Sequence, residues 1–280
     1  MLKYLNIRLN DTFHVDYDGS HSSESSHLSI IDCLVHIRTL RKLLLNGLII
    51  SARTTRALNR LLFVEDIRLC FMIFVIPADA CGEVNLWSNK VQTLCFQARN
   101  LKKVLLFAKN TRLLNLSKII MKDELYPIDI NFNSIMSVHV QKIRVFVLIS
   151  GHNPMMITLI EALQDLKTLR IENSSSSFIT TLFKSRLIKH RIKELVIVKS
   201  FLESIALRRL TVFTRLKSLM LISVTFVPTL NHKVFSKFKN KFTLRIIDSN
   251  INFVDFYTIQ KYEKIKSFDC YSKDKKSKTN

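Results

Sequence analysis

The chain has 280 residues, 48% of them hydrophobic and 23% charged, which predicts a folded protein with a substantial core. Gly and Pro number only four each, a shortage that disfavours sandwich and propeller folds, which need many tight turns. The net charge of +21 is consistent with an anionic partner, but equally with the compositional drift of an AT-rich genome.

The cysteines and the N-terminal sequence indicate the cellular compartment of the protein. They lie scattered, without a CxxC motif, at positions 33, 70, 81, 95 and 270. The N-terminal MLKYLNIRLND lacks the apolar core of a secretory signal, so we expect a reducing intracellular setting, cytoplasmic or nuclear. The longest apolar run, LCFMIFVIP at 69–77, is too short to span a bilayer, and no membrane insertion is expected.

One nine-residue spacing recurs along the chain. It has apolar residues at the first, fourth and sixth places and a small or polar residue at the ninth place. In the first third it begins at Leu2, Leu40, Val64 and Val91. The polar, Ser-rich and acidic stretch 11–29 predicts an inserted loop between the first two repeats. Between 100 and 140 the register is unclear, and only an irregular match from Leu125 fits.

The spacing is regular in the second half. Repeats begin at Ile143, Leu166, Ile192, Leu216 and Ile265, with a weaker one at Lys241. A single match means little in so apolar a chain, whereas a near-constant period over six successive matches predicts a repeat architecture. We expect one domain over 1–271, followed by a basic disordered tail at 272–280.

The stretch LQDLKTLRIENS explains the spacing. Leu169 and Ile171 lie two apart, as strand residues on one face do, while Leu163 and Leu166 have the spacing of about three found in a turn or helix. Each repeat is therefore predicted to be a strand plus a return segment, stacked into a parallel sheet. The return after Ser200 looks helical, with Ser200 as N-cap and Glu203 at the capping-box position.

This pattern resembles the leucine-rich repeat family, LxxLxLxxN, over most of the chain. The resemblance implies an α/β leucine-rich-repeat solenoid of about ten irregular repeats, with a curved parallel sheet inside and helices outside. Helical returns and a period near 25 point to the intracellular type. The family's ninth-place Asn survives only at Asn10 and Asn133, and Ser174, Ser200 and Ser249 replace it elsewhere. Serine can bond backbone with a shorter reach.

Candidates for chemistry are few. The sequence has no GxGxxG, GxxxxGK[ST], HExxH or GxSxG motif, so we expect neither an enzyme nor a cofactor. His21, Glu24 and His27 share the predicted polar loop, where solvated side chains are favoured over a metal site. Cys70 and Cys95 are expected on neighbouring strands as structural thiols.

The third, fifth and seventh places of each repeat are expected on the concave face. Candidate contacts with a partner are Val145, Val147, Ile149, Arg170, Val196, Val198, Met220, Ile222 and Arg245. An exposed sheet face is normally polar, so this apolar strip suits a partner protein. The alternatives are that another segment of the chain covers the strip, or that the register is shifted by one residue.

The second place is basic in most repeats, which predicts a ladder of positive charge. Its members in the second half are Arg144, Lys167, Lys193, Lys217 and Lys266. Such a ladder could bind an acidic protein or a phosphate backbone, or could simply be solvated.

We therefore predict a non-enzymatic protein–protein interaction scaffold that uses its concave face. One alternative, which the resemblance implies, is a substrate-recognition subunit of a ubiquitin ligase, although residues 1–40 look like a repeat plus a loop rather than a helical adaptor motif. The other is a basic nucleic-acid-binding protein.

Overall fold

The computed structural model describes residues 2–9, 22–74, 89–110, 113–123, 138–227, 229–251 and 253–271. The chain forms two compact units. The N-terminal unit is Met1–Ile120 with Asp129–Ile143, and the C-terminal unit is Met121–Ile128 with Arg144–Asn280. The single domain over 1–271 stays a prediction, and both the tail at 272–280 and the match from Leu125 to Asn133 lie outside the described residues.

The N-terminal unit alternates strands with helices. In chain order its elements are β1 Tyr4–Arg8, α1 Ser22–Val35, β2 Lys42–Asn46, β3 Ile49–Ile50, α2 Ala52–Asn59, β4 Asp66–Cys70, β5 Ile73–Phe74, β6 Val91–Gln97, a 3₁₀ turn Ala98–Asn100, α3 Leu101–Asn110 and α4 Val138–Gln141. Strands β1, β2, β4 and β6 pair in that order, all parallel, and β3 pairs with β5. The next strand, β7 Lys118–Lys122, is divided between the two units.

The C-terminal unit repeats the same plan. Its elements are β8 Val145–Ile149, α5 Met155–Ala162, β9 Thr168–Glu172, α6 Ser176–Leu182, α7 Arg186–Arg191, β10 Glu194–Val198, β11 Phe201–Glu203, α8 Ser204–Leu210, β12 Ser218–Ile222, β13 Thr225–Val227, a 3₁₀ segment His232–Lys237, β14 Phe242–Ile247, α9 Phe253–Gln260 and β15 Ile265–Tyr271. Strands β8, β9, β10, β12, β14 and β15 pair in that order, all parallel. The expected α/β repeat architecture is therefore confirmed in each unit.

The strand register puts the apolar places of successive repeats side by side. Leu195 lies opposite Leu169 on one side and Leu219 on the other, and all three are fully buried. Ile197 pairs in the same way with Ile171 and Leu221. Because alternate strand residues share a face, these two rows form the core beneath the return segments.

A repeated turn ends these strands. The residue after the strand has positive φ in seven repeats, at Gly47, Phe71, Ser150, Asn173, Lys199, Ser223 and Asp248. In six of the seven its amide bonds the last carbonyl of the neighbouring strand, as from Asn173 to Val198 at 3.0 Å and from Lys199 to Ile222 at 2.9 Å, and Phe71 bonds Cys95 within β6. Gly47 has a second reason to be glycine, since a Cβ there would lie 2.7 Å from the carbonyl oxygen of Leu9.

Serine hydroxyls tie these turns together in the C-terminal unit. The Ser174 hydroxyl accepts the Gly151 amide at 2.9 Å, and the Ser200 hydroxyl accepts the Ser174 amide at 3.1 Å. Each hydroxyl also donates to a carbonyl two residues earlier in its own strand. The Ser249 hydroxyl accepts the Val224 amide at 3.0 Å. Serine thus does here what the ninth-place Asn is expected to do.

Ser200 is consequently not a helix cap, and that prediction is wrong. Its hydroxyl is occupied in the turn, and the residues after it form β11. Helix α8 begins only at Ser204, with Glu203 at the N-cap position and without a side-chain capping bond.

Part of the predicted loop is also wrong. Residues 11–21 lie outside the described residues, but α1 begins at Ser22. His27, Ile31 and Leu34 are buried at helical spacing, four and three residues apart. This buried stripe outweighs the low helix propensity of the serines, because tertiary packing routinely overrides propensity.

One repeat has a different register from the one expected, and the structure defines the register of another that the sequence left unclear. Leu94 pairs with Leu69, which is the sixth place of its repeat, whereas the spacing from Val91 predicts Leu94 at the fourth place. The register shifts next to Arg68. In the segment of unclear register, β7 follows the same rule, with Leu113, Leu116, Ile119 and Met121 buried at spacings of three, three and two.

Among the described residues, no helix is both long and apolar enough to cross a membrane.

Candidate functional site

The C-terminal sheet has a second face, opposite the core, that we call the open face. It consists of three rows of register partners. The first row is Val145, Thr168, Glu194, Ser218, Thr243 and Ser267; the second is Val147, Arg170, Val196, Met220, Arg245 and Asp269; the third is Ile149, Glu172, Val198, Ile222, Ile247 and Tyr271. The sheet thus brings all nine predicted contact residues onto one face.

Part of the open face is a continuous apolar patch, made of Val196, Val198, Met220, Ile222 and Ile247. Val196 lies opposite Met220, and Ile222 lies between Val198 and Ile247. Four of the five are half-buried, but Val198 is only 6% exposed. Val198 therefore supports the patch more than it offers surface to a partner.

Val145, Val147 and Ile149 form a second apolar group on β8. Val147 is only 6% exposed, so Val145 and Ile149 supply the accessible surface. Arg170 and Glu172 on β9 separate this group from the apolar patch. The predicted apolar strip is therefore interrupted by polar side chains.

The two arginines of the open face already have acidic partners. Arg170 Nε donates to Glu172, two residues along the same strand. Arg245 Nε donates to Asp269 Oδ2 on the neighbouring strand at 2.9 Å. Each guanidinium is therefore part of an ion pair that borders the apolar patch, rather than a free cation awaiting a partner.

Four members of the predicted basic ladder stack at one edge of the sheet. The Lys167 amide bonds the Arg144 carbonyl at 2.9 Å, and equivalent bonds join Lys193 to Lys167 and Lys217 to Lys193, both at 2.7 Å. Three of the four side chains are exposed and that of Lys193 is half-buried. We call these four residues the basic ladder.

Lys266 does not continue the basic ladder. Between Lys217 and Lys266 the equivalent place is taken by Phe242, which is 1% exposed and belongs to the core. Lys266 itself falls at a break in register, since Ile265 pairs with Phe242 and Ser267 pairs with Thr243. A bulge of this kind leaves one residue without a cross-strand partner.

A basic groove adjoins the basic ladder. It has a volume of about 380 Å³ and is lined by Lys193, Thr214, Arg215, Leu216, Lys217, Asn240 and Lys241. Four of these seven residues are cationic and none is acidic, so the groove favours an anionic group. The sequence did not predict Arg215 and Lys241 as site residues, although Arg215 precedes the repeat start at Leu216 and Lys241 is itself a repeat start.

The N-terminal unit has a polar counterpart of the open face. Its exposed strand residues include Asn6, Arg8, Lys42 and Arg68. Arg68 Nη2 lies 3.2 Å from Asp66 Oδ2. Cys70 and Cys95 lie directly opposite each other, as expected from their neighbouring strands.

Glu24 and His27 have structural roles. The Ile49 amide donates to His27 Nδ1 at 3.3 Å, and the Ser51 hydroxyl donates to Glu24. Burial holds the pKa of His27 below its ordinary value, although Glu24 opposes this effect. The expectation of solvated side chains is therefore wrong at His27. Within the part of the chain that the structure describes, no three His, Cys, Asp or Glu residues are grouped to hold a metal ion.

No protein-family model matches this chain, and no curated protein matches it. Among solved structures it is similar to the crystal structure of an internalin from Listeria monocytogenes. The two share 16% sequence identity over 84% of this chain and 75% of that chain, with a TM-score of 0.39. The leucine-rich-repeat-like architecture therefore rests on this chain's own strand register and turns.

Two pairings on the open face could have been predicted. Glu172 lies two residues after Arg170 and shares its side of the strand. Asp269 lies 24 residues after Arg245, one repeat on, in the same row. Opposite charges at these spacings indicate ion pairs.

Proposed function

We propose that the protein is a non-enzymatic protein-interaction scaffold of the intracellular leucine-rich-repeat type. Its partner binds the open face of the C-terminal unit. The observation that carries this proposal is the apolar patch, because contiguous apolar side chains are unusual on an exposed sheet face. The patch sits on paired strands over a buried core, so little conformational entropy is lost when a partner binds.

The size of the open face indicates how far the partner must extend. Five strand intervals of about 4.8 Å and five residues of about 3.3 Å give an area of about 400 Å². Stable complexes bury about 800 Å² on each partner. We therefore propose that the partner also covers a neighbouring edge of the sheet.

The basic ladder supplies that edge. Arg144, Lys167 and Lys217 are exposed where the strands begin, next to the first row of the open face. An acidic rim on the partner would complement this charge, while apolar side chains of the partner fill the patch. Rim charges act mainly on the association rate and its salt dependence, whereas the apolar centre governs dissociation.

A nucleic-acid partner is the second candidate, because the basic groove is lined by four cations and no carboxylate. Against it, the aromatic residues that stack on bases are not interleaved with these cations. The role of substrate-recognition subunit in a ubiquitin ligase stays a prediction, which recovery of ligase core subunits with the protein would support.

The experiment is affinity purification of the tagged full chain from its native cells, with half of the lysate treated with nuclease. We expect a stoichiometric protein partner that survives nuclease and moderate salt. If all recovered material disappears with nuclease, the open-face proposal is wrong and the basic ladder with its groove is the binding site.

A further inference from the structure

Two cysteine side chains face each other on the N-terminal sheet. Cys70 ends β4 and is the register partner of Cys95 in β6. Both thiols are free and half-buried. The Phe71 amide, next to Cys70, bonds the Cys95 carbonyl at 2.7 Å, which holds the two strands together at this point.

The geometry suits a covalent bond between these two residues. Register partners on adjacent strands have Cα atoms about 4.8 Å apart, and their side chains leave the sheet on the same side. Disulfides join residues whose Cα atoms are about 4.4–6.8 Å apart. The bond can therefore form without a rearrangement of the backbone.

We propose that Cys70 and Cys95 are a redox-active pair, which a low-molecular-weight disulfide such as oxidised glutathione converts reversibly into a disulfide between β4 and β6. The pair belongs to the N-terminal unit and does not depend on the proposed partner-binding face.

The two thiols have different parts in this reaction. A hydrogen bond from Cys95 lowers the pKa of Cys70, and the charge of Arg68 lowers it further against the effect of burial. The same hydrogen bond, together with burial, raises the pKa of Cys95. Since the thiolate is the nucleophile, Cys70 attacks first and Cys95 remains protonated.

The exchange proceeds in two balanced steps. The Cys70 thiolate attacks one sulfur of oxidised glutathione, breaks its S–S bond, and releases one glutathione thiolate. Cys95 then gives up its proton and attacks the Cys70 sulfur, and the second glutathione leaves as a thiolate. Two protein thiols have become one disulfide, and the two electrons have reduced one glutathione disulfide to two glutathiones.

The second step is favoured by the first. Once its sulfur is bonded to glutathione, Cys70 no longer carries negative charge and no longer accepts the hydrogen bond from Cys95. Both effects had raised the pKa of Cys95, and the charge of Lys118 still lowers it. Cys95 therefore loses its proton more easily once its target has formed, although burial still raises its pKa.

The test exposes the folded full-length protein to oxidised glutathione, alkylates the remaining thiols, and maps the digest by mass spectrometry. We expect a peptide joining Cys70 to Cys95 in the wild type and in the control Cys33→Ser, removed by dithiothreitol. Cys95→Ser should stop at one glutathione on Cys70. A link from Cys70 to Cys33, Cys81 or Cys270, or glutathione adducts alone, would overturn the proposal.

A kinetic measurement on the wild type keeps the test independent of variant folding. With limiting alkylating reagent, Cys70 should react faster than Cys95, since the thiolate is the reactive form and the pKa of Cys70 is lowered while that of Cys95 is raised. Faster reaction of Cys95 would contradict the assigned order of attack.

Discussion

The two units share a core plan and differ in what they expose. In both, alternate strand residues such as Leu45 and Ile197 are fully buried. On the opposite face the N-terminal unit carries Asn6, Arg8 and Arg68, whereas the C-terminal unit carries the apolar patch. The buried places maintain the repeat, so the open places are free to differ and carry function.

The units also fix their turns differently. At the ninth place the N-terminal unit has buried Leu48 and Met72, and the following residues pair as the short strands β3 and β5. The C-terminal unit places Ser174 and Ser200 there, and their hydroxyls bond the backbone of adjacent repeats. Backbone pairing after the ninth place occurs in both units, since β11 pairs with β13 after Ser200 and Val224, and the serine hydroxyls of the C-terminal unit add side-chain bonds to it.

The largest expected effect is the difference in unfolding free energy between substitutions on the two faces of one strand. Leu195→Ala should lower the free energy of unfolding by about 2–5 kcal/mol, because Leu195 is fully buried. Val196→Ala, on the half-exposed open face, should cost less than about 1 kcal/mol. Denaturant unfolding of both variants checks this. Reversed magnitudes would mean that the register is shifted by one residue.

The serine turns of the C-terminal unit give the next largest effect. Ser174→Ala leaves the buried Gly151 amide without its acceptor, and we expect a loss of about 1–3 kcal/mol. Ser177→Ala is the matched control, since Ser177 is exposed. Equal unfolding free energies for the two variants would show that the hydroxyl bonds contribute nothing.

Substitution of a turn residue with positive φ is expected to give a smaller change, a gain in the free energy of unfolding. Lys199 has φ of 46°, a left-handed conformation that costs a non-glycine residue about 1–2 kcal/mol. Lys199→Gly should stabilise the C-terminal unit by up to about 1 kcal/mol, after the greater freedom of glycine in the unfolded chain is subtracted. Lys199→Ala keeps the strain and should show no such gain in the same unfolding measurement.

The smallest effect is a pH dependence confined to the N-terminal unit. Burial lowers the pKa of His27 in the folded protein below the ordinary value of 6.5. Below that value the unfolded chain binds a proton that the folded chain resists, so stability falls as the pH falls. The hydrogen-exchange rate of the β3 amides, corrected for intrinsic rates, should rise as the pH is lowered from about 7 to about 5. His27→Gln should reduce that rise.

The sequence predicted the C-terminal unit better than the N-terminal unit, for a physical reason. From Ile143 onward each repeat keeps its spacing, so Leu169, Leu195 and Leu219 fall in one row as expected. In β6 the register break inserts one residue and conceals which apolar residue pairs with Leu69. Helix α1 was missed because its serines resemble a loop, although His27, Ile31 and Leu34 carry the helical spacing.

The candidate site was predictable in position but not in detail. Alternation along the strands placed Val196 and Met220 on the open face. It could not reveal that Val147 and Val198 are nearly buried there, because that depends on how neighbouring side chains pack. Nor does spacing alone predict the bulge that separates Lys266 from the basic ladder.

The most direct test of the central claim compares two valine substitutions in partner capture. Val196→Asp places a charge in the apolar patch, whereas Val212→Asp changes an exposed valine in a return segment of the same unit. Thermal melting first checks that both variants are folded. We then predict that Val196→Asp loses the partner recovered by the wild type and that Val212→Asp keeps it. Equal capture by the two variants would contradict partner binding at the open face.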